Sequence, residues 1–319
     1  MAKKLKQHKL KNNIDEPLLL GVIDIGSNSI RLLIGQLLPD GQIEILEKAQ
    51  QTVRLGQDTF KQARIERVTI RAAISILREF KRKLDVYKIK HIWTVGTSAI
   101  REARNAEVFT DRVLMATGLE VNIIDNALEG RLIVTAVRSV MQSGQPSFGA
   151  HTLITEVGGG STILTVLDHG EIESSQSLAL GAIRLQEVLG TGDLPSDEIA
   201  GLLSNEISSA LSTVETVMPL DEVRTFFAVG ADARLAAAHA GRVLKNSSFT
   251  AISRKALARF IAEIKPLSIE EMVSGYDIAY AEAETLLPAL MAYQEILLAT
   301  KAKEMIVASI SMRDGLLLE

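Results

Sequence analysis

A short motif occurs twice in the chain, and it constrains the fold more than any other feature. In each copy an apolar strand ends in an acidic residue, a turn rich in Gly and Ser follows, and two further strands come next. The copies read Asp24-Ile25-Gly26-Ser27-Asn28-Ser29 and Glu156-Val157-Gly158-Gly159-Gly160-Ser161-Thr162. The repetition predicts two domains of similar build, each opening with an antiparallel meander. A length of 319 residues suits two domains.

Between the strands, apolar residues recur with helical spacing over long stretches. Ile70, Ala73, Leu77 and Leu84 are an example, with basic residues between them. The pattern predicts helices over 65–84, 105–117, 127–141, 196–217, 253–264 and 282–299. Strands that alternate with such helices predict an α/β protein.

Composition argues against several classes of protein. The 35 basic and 39 acidic residues give a net charge of −4, which is unfavourable for a nucleic-acid-binding surface. The absence of cysteine excludes a disulfide framework, a Cys-ligated metal and a Cys nucleophile. Every apolar stretch is shorter than the ~18 residues of a membrane span. Residues 1–16 are predicted to be a disordered basic tail rather than a secretory leader, and we expect a cytoplasmic protein that binds no membrane.

The first turn has the groups needed to bind phosphate and a cation. Its backbone amides and the side chains of Ser27, Asn28 and Ser29 can donate hydrogen bonds to phosphate oxygens. The Asp24 carboxylate can hold a Mg²⁺ that bridges to the same phosphates, directly or through water. An ordinary polar hairpin turn has a similar composition, so this turn alone leaves both interpretations open.

The second turn contains more glycine than a hairpin requires. Gly158, Gly159 and Gly160 are costly in backbone entropy, and a plain hairpin needs one or two glycines. The excess indicates close approach to a ligand. The two turns, one from each domain, are therefore predicted to face each other and to hold a phosphate chain between them.

Both turns resemble the phosphate motifs of the exopolyphosphatase and guanosine pentaphosphate phosphohydrolase (Ppx/GppA) family, which belongs to the actin, Hsp70 and sugar-kinase superfamily. Other segments resemble the family in the same order along the chain: 53–56, 96–101 with Asn105, 129–133, 180–185 and 311–317. The resemblance begins near residue 18 and continues to residue 319. It implies a two-domain actin-like (ribonuclease H-like) ATPase fold with an interdomain cleft. Residues 17–125 and 305–319 would form the N-terminal domain, and residues 126–304 the C-terminal domain.

The resemblance also implies an activity, which is Mg²⁺-dependent hydrolysis of terminal phosphoanhydride bonds in inorganic polyphosphate or guanosine pentaphosphate. It makes Glu129 the catalytic residue that orients or deprotonates water, and Asp24 and Glu156 the acids of the metal site. It assigns phosphate binding to Ser27, Asn28, Ser29, Arg101, Gly158, Gly159, Gly160, Ser161 and Thr162. It further implies a homodimer.

Two of these assignments have an ordinary structural alternative. Arg101 lies near Glu102 and Arg104, so it could be a solvated residue at a helix start. Glu129 could be a first-turn residue favoured by the helix dipole.

Four positions depart from the family pattern. Glu156 replaces the Asp that begins the second turn, Ile163 replaces an acid after it, Leu128 replaces a second Glu before Glu129, and a glycine is missing beside Gly230. The acid lost at Ile163 assists the water and the metal in the family, and isoleucine does neither. Losing one catalytic acid typically costs about 10²–10⁴ in rate.

Three functions therefore remain open. The chain can be a hydrolase, slower or with a shifted substrate preference. It can be a hydrolytically impaired protein that binds polyphosphate or guanosine penta- or tetraphosphate. It can also be an ATP-dependent kinase or ATPase of the same superfamily, although the turn near Gly230 lacks the paired glycines expected beside an adenine.

Overall fold

The computed structural model describes residues 16–39, 42–141, 148–189, 196–245 and 248–319. Apart from Glu16, the predicted basic tail lies outside the described residues. These residues form two lobes, each built on one β-sheet, with a cleft between them. Within the described parts of the chain, no helix combines the length and hydropathy needed to cross a bilayer.

The first lobe is built on a five-stranded sheet of order β3-β2-β1-β4-β5. Its strands are β1 (Leu18–Ile25), β2 (Ser29–Leu37), β3 (Ile43–Thr52), β4 (His91–Gly96) and β5 (Val121–Ile123). Strands β1 to β3 form an antiparallel meander, and β4 and β5 add in parallel. Residues 21–25 of β1 are all buried, because β1 lies at the centre of the sheet with both faces covered.

Four helices accompany this sheet: α1 (Leu55–Gln62), α2 (Arg67–Val86), α3 (Ser98–Arg101) and α4 (Ala106–Thr117). The long helix α2 buries one apolar face, which includes Ile70, Leu77 and Phe80, in a cluster with Ile23 of the sheet. This burial explains the helical spacing seen in the sequence.

The second lobe is built on a seven-stranded sheet of order β10-β11-β12-β9-β6-β7-β8. Its strands are β6 (Thr152–Val157), β7 (Thr162–Asp168), β8 (Glu171–Leu178), β9 (Thr225–Val229), β10 (Arg242–Val243), β11 (Thr250–Ser253) and β12 (Glu304–Val307). The remaining helices are α5 (Asn126–Val140), α6 (Ala182–Leu189), α7 (Ser196–Val214), α8 (Ala231–Ala240), α9 (Arg254–Ile264), α10 (Ile269–Tyr276), α11 (Tyr280–Leu298) and α12 (Met312–Leu318).

The two sheets begin with the same arrangement of strands. Strands β6, β7 and β8 form an antiparallel meander, and β9 pairs in parallel with β6 as β4 pairs with β1. The predicted α/β fold with a repeated meander is confirmed.

The end of the chain differs from the prediction that residues 305–319 return together to the first domain. Strand β12 pairs with β9 and β11, so it belongs to the second sheet. Its residues Met305 and Val307 are buried in the core of that lobe, which explains the placement. Helix α12 then packs against β1 of the first sheet and against α5, which itself contacts β6, β7 and β8, so α12 contacts both lobes. The domain boundary at residue 125 stays a prediction.

Candidate active site

The two turns of the repeated motif have the same local geometry. The backbone N–H of Gly26 donates to the carbonyl of Ser29 at 3.0 Å, and that of Gly158 donates to the carbonyl of Ser161 at 2.9 Å. In each turn the acidic residue precedes the first glycine by two positions, which places Asp24 and Glu156 at equivalent points of their strands.

The two turns are in direct contact across the cleft. A Cβ built on Gly159 would lie 3.1 Å from the Cβ of Ser27. A Cβ built on Gly160 would lie 2.3 Å from the Oγ of Ser98 and 2.4 Å from the Cζ of Phe60. The sequence attributed the extra glycines to close approach of a ligand. In the structure, packing against the first lobe itself requires glycine at 160 and leaves little room for a side chain at 159.

Between the turns lies a pocket whose lining comes from both lobes. Predicted site residues in the lining are Asp24, Ser27, Asn28, Ser29, Glu129, Glu156, Gly158, Gly159, Gly160 and Ser161. The other lining residues are Gly26, Arg31, Thr97, Ser98, Ile163, Ser311, Met312 and Arg313. Two predicted phosphate ligands, Arg101 and Thr162, are not among them.

Asp24 is buried at the end of β1 and faces two arginines. Its Oδ2 lies 3.7 Å from the Nη1 of Arg31 and accepts a hydrogen bond at 3.4 Å from the Nη1 of Arg313. Arg31 is the register partner of Asp24 across the β1–β2 hairpin, whereas Arg313 comes from α12. Burial lowers the pKa of Arg313, and the Asp24 carboxylate opposes that shift. The pocket therefore combines carboxylates with arginines suited to phosphate oxygens.

Glu129 and Glu156 both have strongly raised pKa values. Burial raises the pKa of Glu129 to about 7, although the neighbouring Arg101 lowers it. Burial also raises the pKa of Glu156 to about 7, with further contributions from the negative charges of Asp24 and Glu129. A carboxyl group with a pKa near 7 can exchange a proton at neutral pH, which suits a general base.

Arg101 contacts Glu129 and does not reach the pocket lining. Its Nη1 donates to a carboxylate oxygen of Glu129 and, at 2.7 Å, to the carbonyl of Ile124, and its Nη2 donates to the side chain of Asn126. In this arrangement Arg101 orients Glu129, which lies in the first helical turns of α5 after the N-cap Asp125.

The polar side chains of the turns differ in what they bind. The Oγ of Ser27 lies 3.1 Å from the Oγ of Ser98, and the Nδ2 of Asn28 donates to the carbonyl of Ala281 in the second lobe. The Oδ1 of Asn28 is buried without a hydrogen-bond partner. The Oγ1 of Thr162 donates to the carbonyl of Leu180 at 2.7 Å, so its side chain supports the turn from behind.

Two positions that depart from the family pattern have an apolar environment. Ile163 lies opposite Glu156 in the β6–β7 register and borders the pocket. Leu128 packs against an apolar cluster that also contains Ile163. The structure thus has hydrocarbon at both places where the resemblance implies an acid.

Near Gly230 a buried tyrosine supports the second turn. The Oη of Tyr293 accepts a hydrogen bond from the backbone N–H of Val157 at 3.0 Å and donates to the carbonyl of Val229. A Cβ on Gly230 would lie 2.9 Å from that Oη, and Gly230 has φ of 140°, so glycine is required there. Burial raises the pKa of Tyr293, which therefore stays a neutral donor.

Sequence reasoning gave no site role to Arg31, Ser98 and Arg313, although each makes a polar contact in the pocket. A hairpin register drawn from Asp24 would have found Arg31, since the two residues pair across the turn. Ser98 and Arg313 lie in segments that resemble the family, but nothing in their local spacing indicates that they meet Ser27 and Asp24.

The sequence model of the Ppx/GppA phosphatase family matches residues 37–319. The chain belongs to this family. The match covers most of the chain and includes the second turn, Glu129 and the C-terminal helix. It confirms the resemblance drawn from the motifs.

The sequence identity between this Ppx/GppA chain and individual relatives is low. It is 31% identical over 185 residues to a bifunctional 3-dehydroquinate synthase/phosphatase of Fusobacterium nucleatum, which covers 56% of this chain and 27% of that protein. It is 28% identical over 215 residues to exopolyphosphatase 2 of Mycobacterium tuberculosis, which covers 65% of this chain and 66% of that protein. The match thus spans about a quarter of the length of the first relative and just under two thirds of the length of the second.

Solved structures of Ppx/GppA proteins share the fold. An exopolyphosphatase from Cytophaga hutchinsonii superposes with a TM-score of 0.83 at 21% identity, covering 94% of this chain and 96% of that one. At this level of identity the similarity concerns the fold, and it supports the two-lobed arrangement described above.

Proposed function

We propose that this Ppx/GppA chain hydrolyses terminal phosphoanhydride bonds of inorganic polyphosphate or guanosine pentaphosphate. One observation carries the proposal: a carboxyl group with a pKa near 7, Glu129, lines a pocket formed by two phosphate-type turns. In the proposed reaction Glu129 accepts a proton from a water molecule whose oxygen attacks the terminal phosphorus. The bond from that phosphorus to the bridging oxygen breaks, and the shortened chain leaves with the electron pair.

Other residues of the pocket would bind and orient the phosphates. The amides of the two turns and the hydroxyls of Ser29 and Ser161 can donate to phosphate oxygens. Arg31 and Arg313 carry positive charge into the same pocket. Arg101 acts through Glu129, whose carboxylate it holds in place.

The carboxylates of Asp24 and Glu156 fit a Mg²⁺ site, which we propose on the chemistry of these donors. Burial and, to a smaller extent, the nearby Asp24 carboxylate raise the pKa of Glu156, and a divalent cation would relieve the repulsion between the two carboxylates. Among the described residues no three acidic or imidazole side chains are placed to bind a metal by themselves. Mg²⁺ commonly takes one or two carboxylates and completes its shell with substrate phosphate and water. When bound, it would neutralise charge on the transferred phosphate.

A second candidate function is phosphate-chain binding with little or no turnover. Ile163 favours it, because this apolar side chain borders the pocket where the family resemblance implies an acid that assists water and metal. A cytoplasmic location and a homodimer also stay predictions.

A phosphate-release assay distinguishes the two functions. Long-chain polyphosphate and guanosine pentaphosphate are supplied separately, with Mg²⁺ and with a chelator. We expect Mg²⁺-dependent release from at least one of them, reduced by about 10²–10⁴-fold in Glu129→Gln. Equal release by wild type and variant would exclude Glu129 as the base.

The matched control is Glu120→Gln, which changes an exposed glutamate outside the pocket and should leave the rate unchanged. Calorimetric binding of polyphosphate without any release would favour the second candidate. Absence of both binding and release would contradict both functions.

A further inference from the structure

A second cavity adjoins the active-site pocket and has a strongly basic lining. It has a volume of about 250 Å³ and shares Arg31, Ser311 and Arg313 with the pocket. We call it the basic groove and define it by Arg31, Lys48, Gln50, Arg234, Ser309 and Arg313. Because both cavities include the same arginines, a ligand bound in the pocket can extend past Arg31 and Arg313 into the basic groove.

Both lobes contribute cations to the basic groove. On strands β2 and β3, Arg31 and Gln50 are register partners, and the Nε of Arg31 donates to the Oε1 of Gln50 at 3.1 Å. Lys48 lies two residues before Gln50 and so on the same face of the sheet. Arg234 comes from α8 of the second lobe, where its Nη1 donates to the carbonyl of Ile310 at 3.1 Å.

The charges of the basic groove are only partly balanced. Arg31 and Arg313 share the Asp24 carboxylate. Asp314, the acidic residue of the lining, accepts hydrogen bonds from the backbone N–H and the Oγ of Ser311 and so caps α12. Among the described residues, no carboxylate lies within ion-pair distance of Lys48 or Arg234. Two cations without a carboxylate partner, in a groove that also contains two arginines, attract an anion longer than a single phosphate.

We propose that the basic groove binds the distal phosphates of a linear polyphosphate whose terminal phosphate occupies the active-site pocket. The inference rests on the proposed function, and it selects the inorganic chain over the nucleotide as the preferred substrate. No aromatic ring lines the groove in the described part of the chain, so a nucleobase would find no stacking surface there. A chain of phosphates needs only the cations and hydrogen-bond donors that are present.

Binding as a function of chain length tests this proposal. Calorimetry is done with Mg²⁺ in a Glu129→Gln background, so that the ligand is not consumed, and compares long-chain polyphosphate, tripolyphosphate and guanosine tetraphosphate. We expect the long chain to bind more tightly per molecule than the other two, with a steeper loss of affinity as salt rises. The added variants are Lys48→Ala and Arg234→Gln.

Each of these variants should reduce the ratio of long-chain to tripolyphosphate affinity by about 10-fold, since a charge-assisted contact is lost. Lys255→Ala, which removes an exposed lysine of α9 outside the groove, should leave the ratio unchanged. Thermal melts of all variants check that the fold is intact.

Three outcomes overturn the proposal: no preference for the long chain, a ratio unaffected in both groove variants, or tighter binding of the nucleotide. If the ratio responds as expected but the wild type releases no phosphate, the basic groove stands and the hydrolytic function fails. If the wild type hydrolyses phosphoanhydrides while the ratio does not respond, the hydrolytic function stands and the groove fails.

Discussion

Gly160 of the second lobe packs against Ser98 of the first so closely that a Cβ at position 160 would lie 2.3 Å from the serine Oγ. The Oγ of Ser27 would lie 2.8 Å from the same Cβ. The contact between the lobes therefore depends on the absence of a side chain at this point.

Replacing Gly160 by alanine should push the two turns apart. We expect a loss of about 1–3 kcal/mol in the free energy of unfolding, as for other overpacked sites, and weaker binding of phosphate chains. Chemical denaturation and calorimetry measure the two effects.

The control is Gly201→Ala, because Gly201 lies in helix α7 and a methyl group added there would have no atom within 4 Å. This change should be neutral or should stabilise the protein by about 0.5–1 kcal/mol through helix propensity. Equal effects of the two substitutions would contradict the steric argument.

The rate of hydrolysis should depend on pH through Glu129. Burial raises the pKa of this carboxyl to about 7, and the base that we propose can accept a proton only when it has lost its own. Around it lie Arg101, which lowers the pKa, and Asp24 and Asp125, which raise it. We expect the rate to rise as pH increases through about 7 and then to level off, and this rise should be absent from the residual activity of Glu129→Gln.

The same group should affect stability in the opposite direction. Between its ordinary value of 4.5 and about 7, folded Glu129 keeps a proton that the unfolded chain has lost. The free energy of unfolding must then fall as pH rises across this window. Urea denaturation without Mg²⁺ should show that the free energy of unfolding of the wild type, relative to that of Glu129→Gln, declines from pH 4.5 to 7. A difference that stays constant over this range would contradict burial as the cause of the raised pKa.

Arg184 connects the two lobes beside the turns. Its Nη2 donates to both carboxylate oxygens of Glu102 at 2.6 and 2.7 Å, its Nε donates to the carbonyl of Gly160, and its guanidinium lies 4.0 Å from the centroid of the Phe60 ring. A double-mutant cycle with Arg184→Gln and Glu102→Gln should give a coupling of about 0.5–1 kcal/mol, because Glu102 is partly exposed.

The single change at Arg184 should cost more stability than the change at Glu102, since it also removes the contacts to Gly160 and Phe60. Denaturation at low and high salt measures the cycle. A coupling that does not weaken with salt would indicate that the pair is not an ion pair at this surface.

An acid at position 163 should increase turnover if the chain is a slow hydrolase. Ile163 borders the pocket opposite Glu156, so Ile163→Asp would place a carboxylate beside the proposed metal acids. We expect the Mg²⁺-dependent rate to rise about 10-fold or more, at the expense of stability because the position is buried. Ile163→Val is the control for changed volume, and an unchanged rate in Ile163→Asp would show that this position does not limit turnover.

The turns and the long helices could be predicted because their signals are local. The apolar periodicity of α2 and the paired acid-glycine turns are visible in short windows of sequence. Helix α10 also begins with a capping box formed by Ser268 and Glu271, which is a local sequence signal of the same kind.

Other elements could not be predicted, because contacts distant in sequence initiate them. Helix α6 begins where the N–H groups of Ala182 and Ile183 donate to the carbonyls of Gly158 and Gly159. Helix α1 follows Arg54, which has a positive φ of 46° and no side-chain cap. The pairing of Arg313 with Asp24 joins residues 289 positions apart, and only the family resemblance drew attention to that segment.

Strand β12 lies between β11 and β9, although it is the last strand in the order of the chain. Before β12 has left the ribosome, the earlier strands can form only two separate parts of this sheet, one made of β6 to β9 and the other of β10 and β11. In each part, one edge strand lacks the hydrogen-bonding partner that β12 provides. Residues 304–307 join the two parts only after nearly all of the preceding polypeptide has emerged. The second sheet can then be completed only after β12 has left the ribosome, and a nascent chain stalled before this strand would be prone to aggregate.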